Sequence, residues 1–214
     1  QNEINTPISD FLEGQINIAT EYRGELKPFD LDEYKNLQGF KALEKCLTSM
    51  SPQQVVDEIR ESGLKGRGGG GFLTGNKWQL VKDNVSDKKY IICNGDEGDP
   101  GAFMDRMLLE SYPFRIIEGL IIAGYAVGAS EGILYIRAEY PLAVERIKEG
   151  IEICLKEGML GNNILGTDFS FNLKIFEGAG AFVCGEETAL YKSIEGNRGY
   201  PVLRPPYPAE KGLW

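Results

Sequence analysis

Apolar positions in this chain take two forms, short unbroken runs and stripes at helical spacing, and the two alternate from about residue 51 onward. Tyr90-Ile91-Ile92-Cys93, Ile133-Leu134-Tyr135-Ile136-Arg137 and Leu173-Lys174-Ile175-Phe176-Glu177 are brief runs bounded by polar or glycine-containing segments, the profile of buried strands. Helical patterns lie around and between them. Val55 and Ile59 mark one face of a helix over 51–62, with Ser51 suited to the N-cap, Pro52 to the first turn and Gln54 to a reciprocal cap. A short helix or turn is expected around 76–83, and a helical stretch from about 103 that is interrupted near Pro113 and resumes over Arg115–Gly128. Pro141 opens a helix in which Val144, Ile147, Ile151 and Cys154/Leu155 recur at helical spacing to near Gly158, and Glu186–Ile194 forms another, closed by Gly196. Strands separated by helices of ten or more residues pair in parallel through helical crossovers. The expected fold class is therefore α/β, a three-layer domain with a mostly parallel sheet over about 46–200. Residues 1–45 are polar and mixed, with one weak helical segment over Leu31–Leu47, and read as an N-terminal arm packed on the main domain or on a partner.

One stretch breaks the alternation. Residues 63–77 contain four consecutive glycines, Gly68 to Gly71, with Arg67 before them and Lys77 after. Such a run stabilises neither helix nor strand, because each glycine loses much backbone entropy and offers no side chain to pack. It does let the main chain turn sharply and present several N–H groups to one ligand. Bare glycines flanked by cations suit a phosphate or the polar edge of a flat cofactor. A flexible linker is the competing reading, but serine is absent from the stretch, and Phe72 and Trp78 lie at its end. Gly66-x-Gly68-x-x-Gly71 matches the dinucleotide fingerprint as a string, yet that fingerprint follows a strand and here a helix precedes it. A P-loop is excluded as well, since Asn76 separates Gly75 from Lys77 and no Ser or Thr follows.

Composition narrows the chemistry. A 214-residue chain with 42% apolar and 26% charged residues supports one ordinary globular core. The net charge of −9 argues against nucleic acid and anionic membranes as partners. Its most apolar run, Ile116 to Ala129, carries Glu118 and is too short to span a bilayer, so no direct membrane insertion is expected, and with no signal peptide the protein reads as cytoplasmic. Cys46, Cys93, Cys154 and Cys184 are widely spaced, unlike a zinc or iron–sulfur framework, and read as reduced core residues. Histidine is absent, which excludes His-based triads, proton shuttles and metal ligands. Chemistry must then rest on carboxylates, Lys or Arg, or a cofactor.

In parallel sheets, ligands bind beyond the carboxyl ends of the strands. Two predicted strands run into loops that combine glycines with paired carboxylates, Asn94-Gly95-Asp96-Glu97-Gly98-Asp99-Pro100-Gly101 and Gly178-Ala179-Gly180-Ala181-Phe182-Val183-Cys184-Gly185-Glu186-Glu187-Thr188. Helix capping is the plainer role for Glu186-Glu187. A calcium loop at 96–99 is disfavoured, because the regular alternation and terminal Glu of an EF-hand loop are missing. Two acidic loops facing a basic glycine loop suit carboxylates that accept hydrogen bonds from ribose or amide groups, with cations and N–H groups on phosphate.

These motifs, together with Lys77-Trp78, Asp105-Arg106 and Thr188-Ala189-Leu190, resemble the FMN-binding, NADH-oxidising subunit of respiratory complex I and its relatives in NAD-linked hydrogenases and formate dehydrogenases, over about 50–214. The resemblance implies a three-layer, Rossmann-like FMN-binding domain, with FMN held by Gly66, Arg67, Gly68, Lys77, Asn94, Asp96, Glu97, Gly185 and Glu186. It implies NAD(H) over the flavin against Phe72, Glu187, Asp99, Arg204 and Tyr207, with Phe182 beside the cofactor where the family usually has an aromatic hydroxyl. Hydride then passes directly between NAD(H) and FMN with no catalytic side chain and no bound metal ion in this chain. Electrons continue singly to iron–sulfur clusters in partner subunits, a thioredoxin-like 2Fe-2S subunit among them. The family's next segment carries asparagines that complete the FMN site, followed by a ubiquitin-like domain and a Cys-rich domain. Residues 201–214 are accordingly expected to begin the connection to those parts, and a 4Fe-4S cluster is expected only there. A rival reading from another class is a non-catalytic docking module with a degenerate nucleotide site.

Overall fold

A computed structural model describes residue 11 and residues 13–214; residues 1–10 and 12, part of the expected arm, lie outside the described residues. In chain order the elements are α1 (Leu31–Asn36), α2 (Lys41–Ser49), α3 (Pro52–Glu61), α4 (Thr74–Asp83), β1 (Tyr90–Gly95), α5 (Met104–Ser111), α6 (Pro113–Val127), β2 (Glu131–Arg137), α7 (Pro141–Lys156), β3 (Asn172–Gly178) and α8 (Glu187–Ile194). Single 3-10 turns occupy Ile164–Gly166 and Phe182–Gly185.

The three strands form a parallel sheet in the order β1-β2-β3, with Tyr90 opposite Glu131 and Glu131 opposite Asn172. Parallel strands in sequential order, joined by crossovers of one hand, put both connecting helices on the same face. That face holds the main core. Leu134 and Ile136 of β2 meet Ile91 and Cys93 of β1, Leu173 and Ile175 of β3, and the buried rows Ile117, Leu120 and Ile121 of α6 and Ala143, Ile147 and Ile151 of α7. Period-two alternation sends Tyr135, Ile92 and Phe176 to the opposite face, where Cys184 and Leu190 cover them. Helices thus flank the sheet on both sides, the three-layer α/β arrangement expected. Strand order never reverses, so the sheet has no switch-point crevice. What it has instead is a single edge where all three strands end.

The segment over 31–47 is two helices, not one weak helix. Gln38 and Phe40 adopt φ of 68° and 61°, and Gly39 lies against the Tyr34 ring where a side chain would collide. The break is held from far along the chain. Glu118, buried in α6, accepts from the Tyr34 hydroxyl at 2.6 Å, the Phe40 amide at 2.9 Å and the Leu43 amide at 3.2 Å. Its carboxylate does the work of an N-cap for α2, whose own cap residue supplies no side-chain bond. Leu31, Tyr34, Phe40 and Leu43 belong to the main core, so this part of the expected arm packs on the main domain.

At α3, Ser51 and Gln54 form the reciprocal capping box with Pro52 in the first turn. α4 begins at Thr74, two residues before the predicted start, and its second residue is Gly75 because a Cβ there would lie 2.5 Å from the Arg60 Cα of α3. β1 extends two residues past Cys93, to Gly95, which pairs with Ile136.

Candidate functional site

The glycine loop is closed at its base like a hairpin. The Gly66 amide donates to the Phe72 carbonyl at 2.9 Å and the Thr74 amide to the Leu64 carbonyl at 2.8 Å, with Lys65 and Leu73 bridged antiparallel. Gly69 (φ 93°) and Gly71 (φ 60°) use the left-handed backbone that only glycine adopts without strain. Gly66, Arg67, Gly68 and Phe72 are all exposed on this loop, and Lys77 is exposed on the first turn of α4. Neither Arg67 nor Lys77 forms an ion pair among the described residues, which leaves both charges free for a ligand.

The strand-end edge is a separate, densely bonded cluster. Asn94 donates to the Gly185 carbonyl at 2.9 Å and accepts from the Asp96 amide at 3.1 Å, so one side chain ties the two acidic loops together. A Cβ at Gly185 would come within 3.3 Å of the Asp96 carbonyl, so the loops approach at their backbones. The exposed Phe182 ring lies over Gly98 from the other loop. Asp99 is exposed, and its carbonyl accepts from the Ala102 amide at 3.1 Å.

Three of the predicted carboxylates are already engaged. Glu97 accepts from the Asp105 amide at 2.9 Å and so caps α5. Glu186 accepts from the amides of Thr188 at 2.9 Å and Ala189 at 3.1 Å, and from the Thr188 hydroxyl, at the start of α8. Burial pushes the Glu186 pKa up, but bonds from Thr188, Ala189 and Arg204 outweigh it and hold the group below the usual carboxylate range. Arg204 reaches Glu186 and Glu187 at 2.7 Å each, which fixes residues 200–204 against α8. The Thr188 hydroxyl accepts the Val202 amide at 2.9 Å and reinforces that contact. Tyr207 is exposed beyond it, its amide donating to Glu210 at 2.9 Å.

Asp96 differs from all of these. It is 8% exposed, yet among the described residues neither carboxylate oxygen has a hydrogen-bond partner. Burial raises its pKa, Arg137 opposes the shift, and Glu139 adds to it. A buried carboxylate without donors is rare enough in folded proteins to require an explanation, and a ligand carrying N–H or O–H groups is the direct one.

Of the expected site residues, the structure bonds Asn94 to Asp96 and Gly185, and Arg204 to Glu186 and Glu187, while Glu97 is bonded to Asp105, Arg137 and Tyr140 instead. Among the described residues no hydrogen bond or ion pair links the glycine loop to that edge. Arg137, Glu139 and Tyr140, which the structure places at the same edge, were not singled out by sequence. The available signal was that Arg137 ends an unbroken apolar run at the carboxyl end of a predicted strand, where ligands bind.

A parallel α/β domain with a glycine-rich cationic loop and an unsatisfied carboxylate at the strand ends belongs to the cofactor-binding class of α/β proteins. Residues 59–214 match the Nuo51 FMN-binding domain family, and the chain belongs to it. It is 52% identical over 200 residues to the NADP-reducing hydrogenase subunit HndC of Solidesulfovibrio fructosivorans, covering 94% of this chain and 40% of that protein. Against an NADH-quinone oxidoreductase subunit of Aquifex aeolicus it is 46% identical, covering 95% of this chain and 47% of that one. The fold matches a crystal structure of an NAD+-reducing [NiFe]-hydrogenase in the H2-reduced state, with TM-score 0.72, 32% identity, and coverage of 98% of this chain and 37% of that one. The chain thus spans about two-fifths to half the length of the relatives named.

Proposed function

We propose that this chain is the FMN- and NAD(H)-binding part of a flavin-dependent NADH dehydrogenase, acting within a larger electron-transfer complex. The observation that carries the reading is Asp96, a buried carboxylate whose two oxygens accept no hydrogen bond among the described residues, beside the close backbone approach of Gly185. Family membership supports the same cofactor.

The residues present fit FMN. Gly68 offers a backbone N–H, Gly66 closes the loop beneath it, and Arg67 and Lys77 offer positive charge to a phosphate. Asp96 and Asn94 offer acceptors to the polar groups of the flavin, and Glu97, Gly185 and Glu186 set the walls around them. Phe72 and Phe182 present exposed rings suited to the flat faces of a nicotinamide or flavin. Glu187, Asp99, Arg204 and Tyr207 form the polar rim that would take the rest of NAD(H). Bound FMN supplies a two-electron acceptor for hydride that can release electrons singly. The chain's own contribution is to bind, orient and screen, which needs no histidine.

Because the relatives named are subunits of hydrogenase and quinone-reductase complexes, iron–sulfur subunits are the proposed electron partners, with a thioredoxin-like 2Fe-2S protein foremost. No helix among the described residues is long and apolar enough to cross a membrane, in keeping with a cytoplasmic module or one docked at the cytoplasmic face of a membrane complex. The test is the absorbance spectrum of the purified full-length protein together with FMN titration of its apo form. A flavin spectrum, a saturable titration and NADH-dependent bleaching are expected. Absence of flavin binding would leave the docking-module reading in its place.

A further inference from the structure

The two acidic loops at the strand ends are held apart and in register by a residue from the strand between them. Arg137 is the last residue of β2, the central strand, and its side chain is only 15% exposed. One guanidinium nitrogen donates to the Glu97 carbonyl at 2.6 Å, gripping the first loop by its backbone. The other two donate to Glu139, at 2.6 and 3.3 Å, and the Glu139 carboxylate lies against Gly180 (φ 78°) of the second loop, where a Cβ would collide with it. The Tyr140 hydroxyl donates to the same Glu97 carbonyl at 3.1 Å. Two donors from the end of β2 therefore converge on one carbonyl, immediately after Asp96.

We infer that Arg137, assisted by Tyr140, is a positioning residue: it clamps the Glu97 carbonyl so that the Asp96 carboxylate stays aimed into the flavin site at a fixed distance from the Gly178–Gly185 loop. The inference rests on the proposed FMN-binding function for its consequence, but the clamp itself is a property of the chain. Three features favour a positioning role over simple surface pairing. The acceptor is a main-chain carbonyl, so the bond fixes a backbone position instead of pairing two mobile side chains. Arginine's planar fork holds two groups in a fixed geometry, which lysine's rotatable point-charge ammonium does not. Finally, a partly buried cation near the unpartnered Asp96 favours its charged form before any ligand arrives.

Two measurements on the full-length protein test this. The first is amide hydrogen exchange in the apo protein, comparing wild type with Arg137→Met, Arg137→Lys and Tyr140→Phe. Faster exchange confined to residues 96–102 is expected in Arg137→Met, with β2 and α7 unchanged and intermediate behaviour in Arg137→Lys. The second is FMN affinity across the cycle of Arg137→Met, Tyr140→Phe and the double variant. Because both donors serve one carbonyl, either alone partly compensates for the other, so the double variant should lose at least threefold more affinity than the product of the single losses. Arg137→Met alone should weaken FMN about tenfold or more. Unchanged exchange at 96–102, or single losses that simply multiply, would overturn the clamp. If wild type binds no FMN, the functional reading falls while the exchange data still decide whether Arg137 orders the loop.

Discussion

Replacing Asp96 by asparagine should stabilise the empty protein while weakening its grip on the cofactor. The carboxylate is 8% exposed and accepts no hydrogen bond at either oxygen among the described residues. A buried group left without partners costs about 1–3 kcal/mol, and more when charged. Asparagine removes the charge but keeps the shape and leaves an amide that is itself poorly paired. It also gives up the attraction of Arg137. The net gain in the apo protein is then about 1 kcal/mol, or about 2–4 °C in Tm for a chain of this size. With FMN the sign reverses, because a hydrogen bond to a charged group is worth about 1.5–3 kcal/mol, about 10–150-fold in Kd. The pH dependence gives an independent check. The folded pKa of Asp96 is raised by burial, so its charge destabilises the fold above both pKa values, and that cost disappears as pH falls through the folded pKa. The Tm advantage of Asp96→Asn should accordingly be full at neutral pH and shrink in acid, where the wild-type carboxylate is protonated. Thermal unfolding at several pH values and FMN titration measure all three effects. An asparagine variant that is less stable when empty, or that binds FMN as tightly as wild type, would refute the assignment of Asp96 as a ligand-directed carboxylate.

Other substitutions follow from the same geometry. Gly75→Ala forces a methyl group to within 2.5 Å of the Arg60 Cα, a contact backbone cannot relieve cheaply, and should cost about 1–3 kcal/mol by chemical unfolding. Glu118→Gln puts an amide where three donors converge, and should cost about 1.5–3 kcal/mol, with the loss appearing as faster amide exchange in α2. Arg204→Gln should raise the ratio of kcat/KM for NADH over NADPH by about tenfold or more, since Arg204 is the cation that partly neutralises Glu186 and Glu187, and a 2′-phosphate near bare carboxylates is repelled. An unchanged ratio in steady-state assays would remove Arg204 from the specificity argument.

Strands and crossover helices were legible because short buried runs and helical stripes are local patterns, and local patterns survive into the fold wherever burial is uniform. The cap of α3 was legible for the same reason, with Ser51, Pro52 and Gln54 all within one turn. Legibility failed where a distant residue decides a local conformation. The break between α1 and α2 is held by Glu118, 78 positions from Phe40, and Gly39 is the one local sign of it within 31–47. Likewise Arg137 and Tyr140 act on the Glu97 carbonyl, and a main-chain acceptor leaves no trace in the sequence of side chains. The strand-end carboxylates that sequence singled out, Asp96 and Glu97 with Glu186 and Glu187, stood out because glycines beside paired acids at strand ends are an uncommon local combination.

The structure also separates carboxylates that the sequence could only group. Glu97 and Glu186 already satisfy helix N-termini, at the Asp105 amide and at the Thr188 and Ala189 amides. A ligand donor approaching either group must share or displace an existing bond, so the net gain from exchange is small, as for any hydrogen bond traded for another. Asp96 has nothing to give up, and a donor there gains the full value of satisfying a buried charge. Neutralising the three in turn should therefore give unequal results. Asp96→Asn should reduce FMN affinity most while raising apo stability, whereas Glu97→Gln and Glu186→Gln should lower apo stability by about 0.5–2 kcal/mol through the lost caps and change FMN affinity less than Asp96→Asn does. Titration and thermal unfolding on the same three variants supply both quantities. Equal losses of affinity across the set would mean that the ligand reorganises the caps on binding, and that the unsatisfied oxygens of Asp96 are not the feature that selects it.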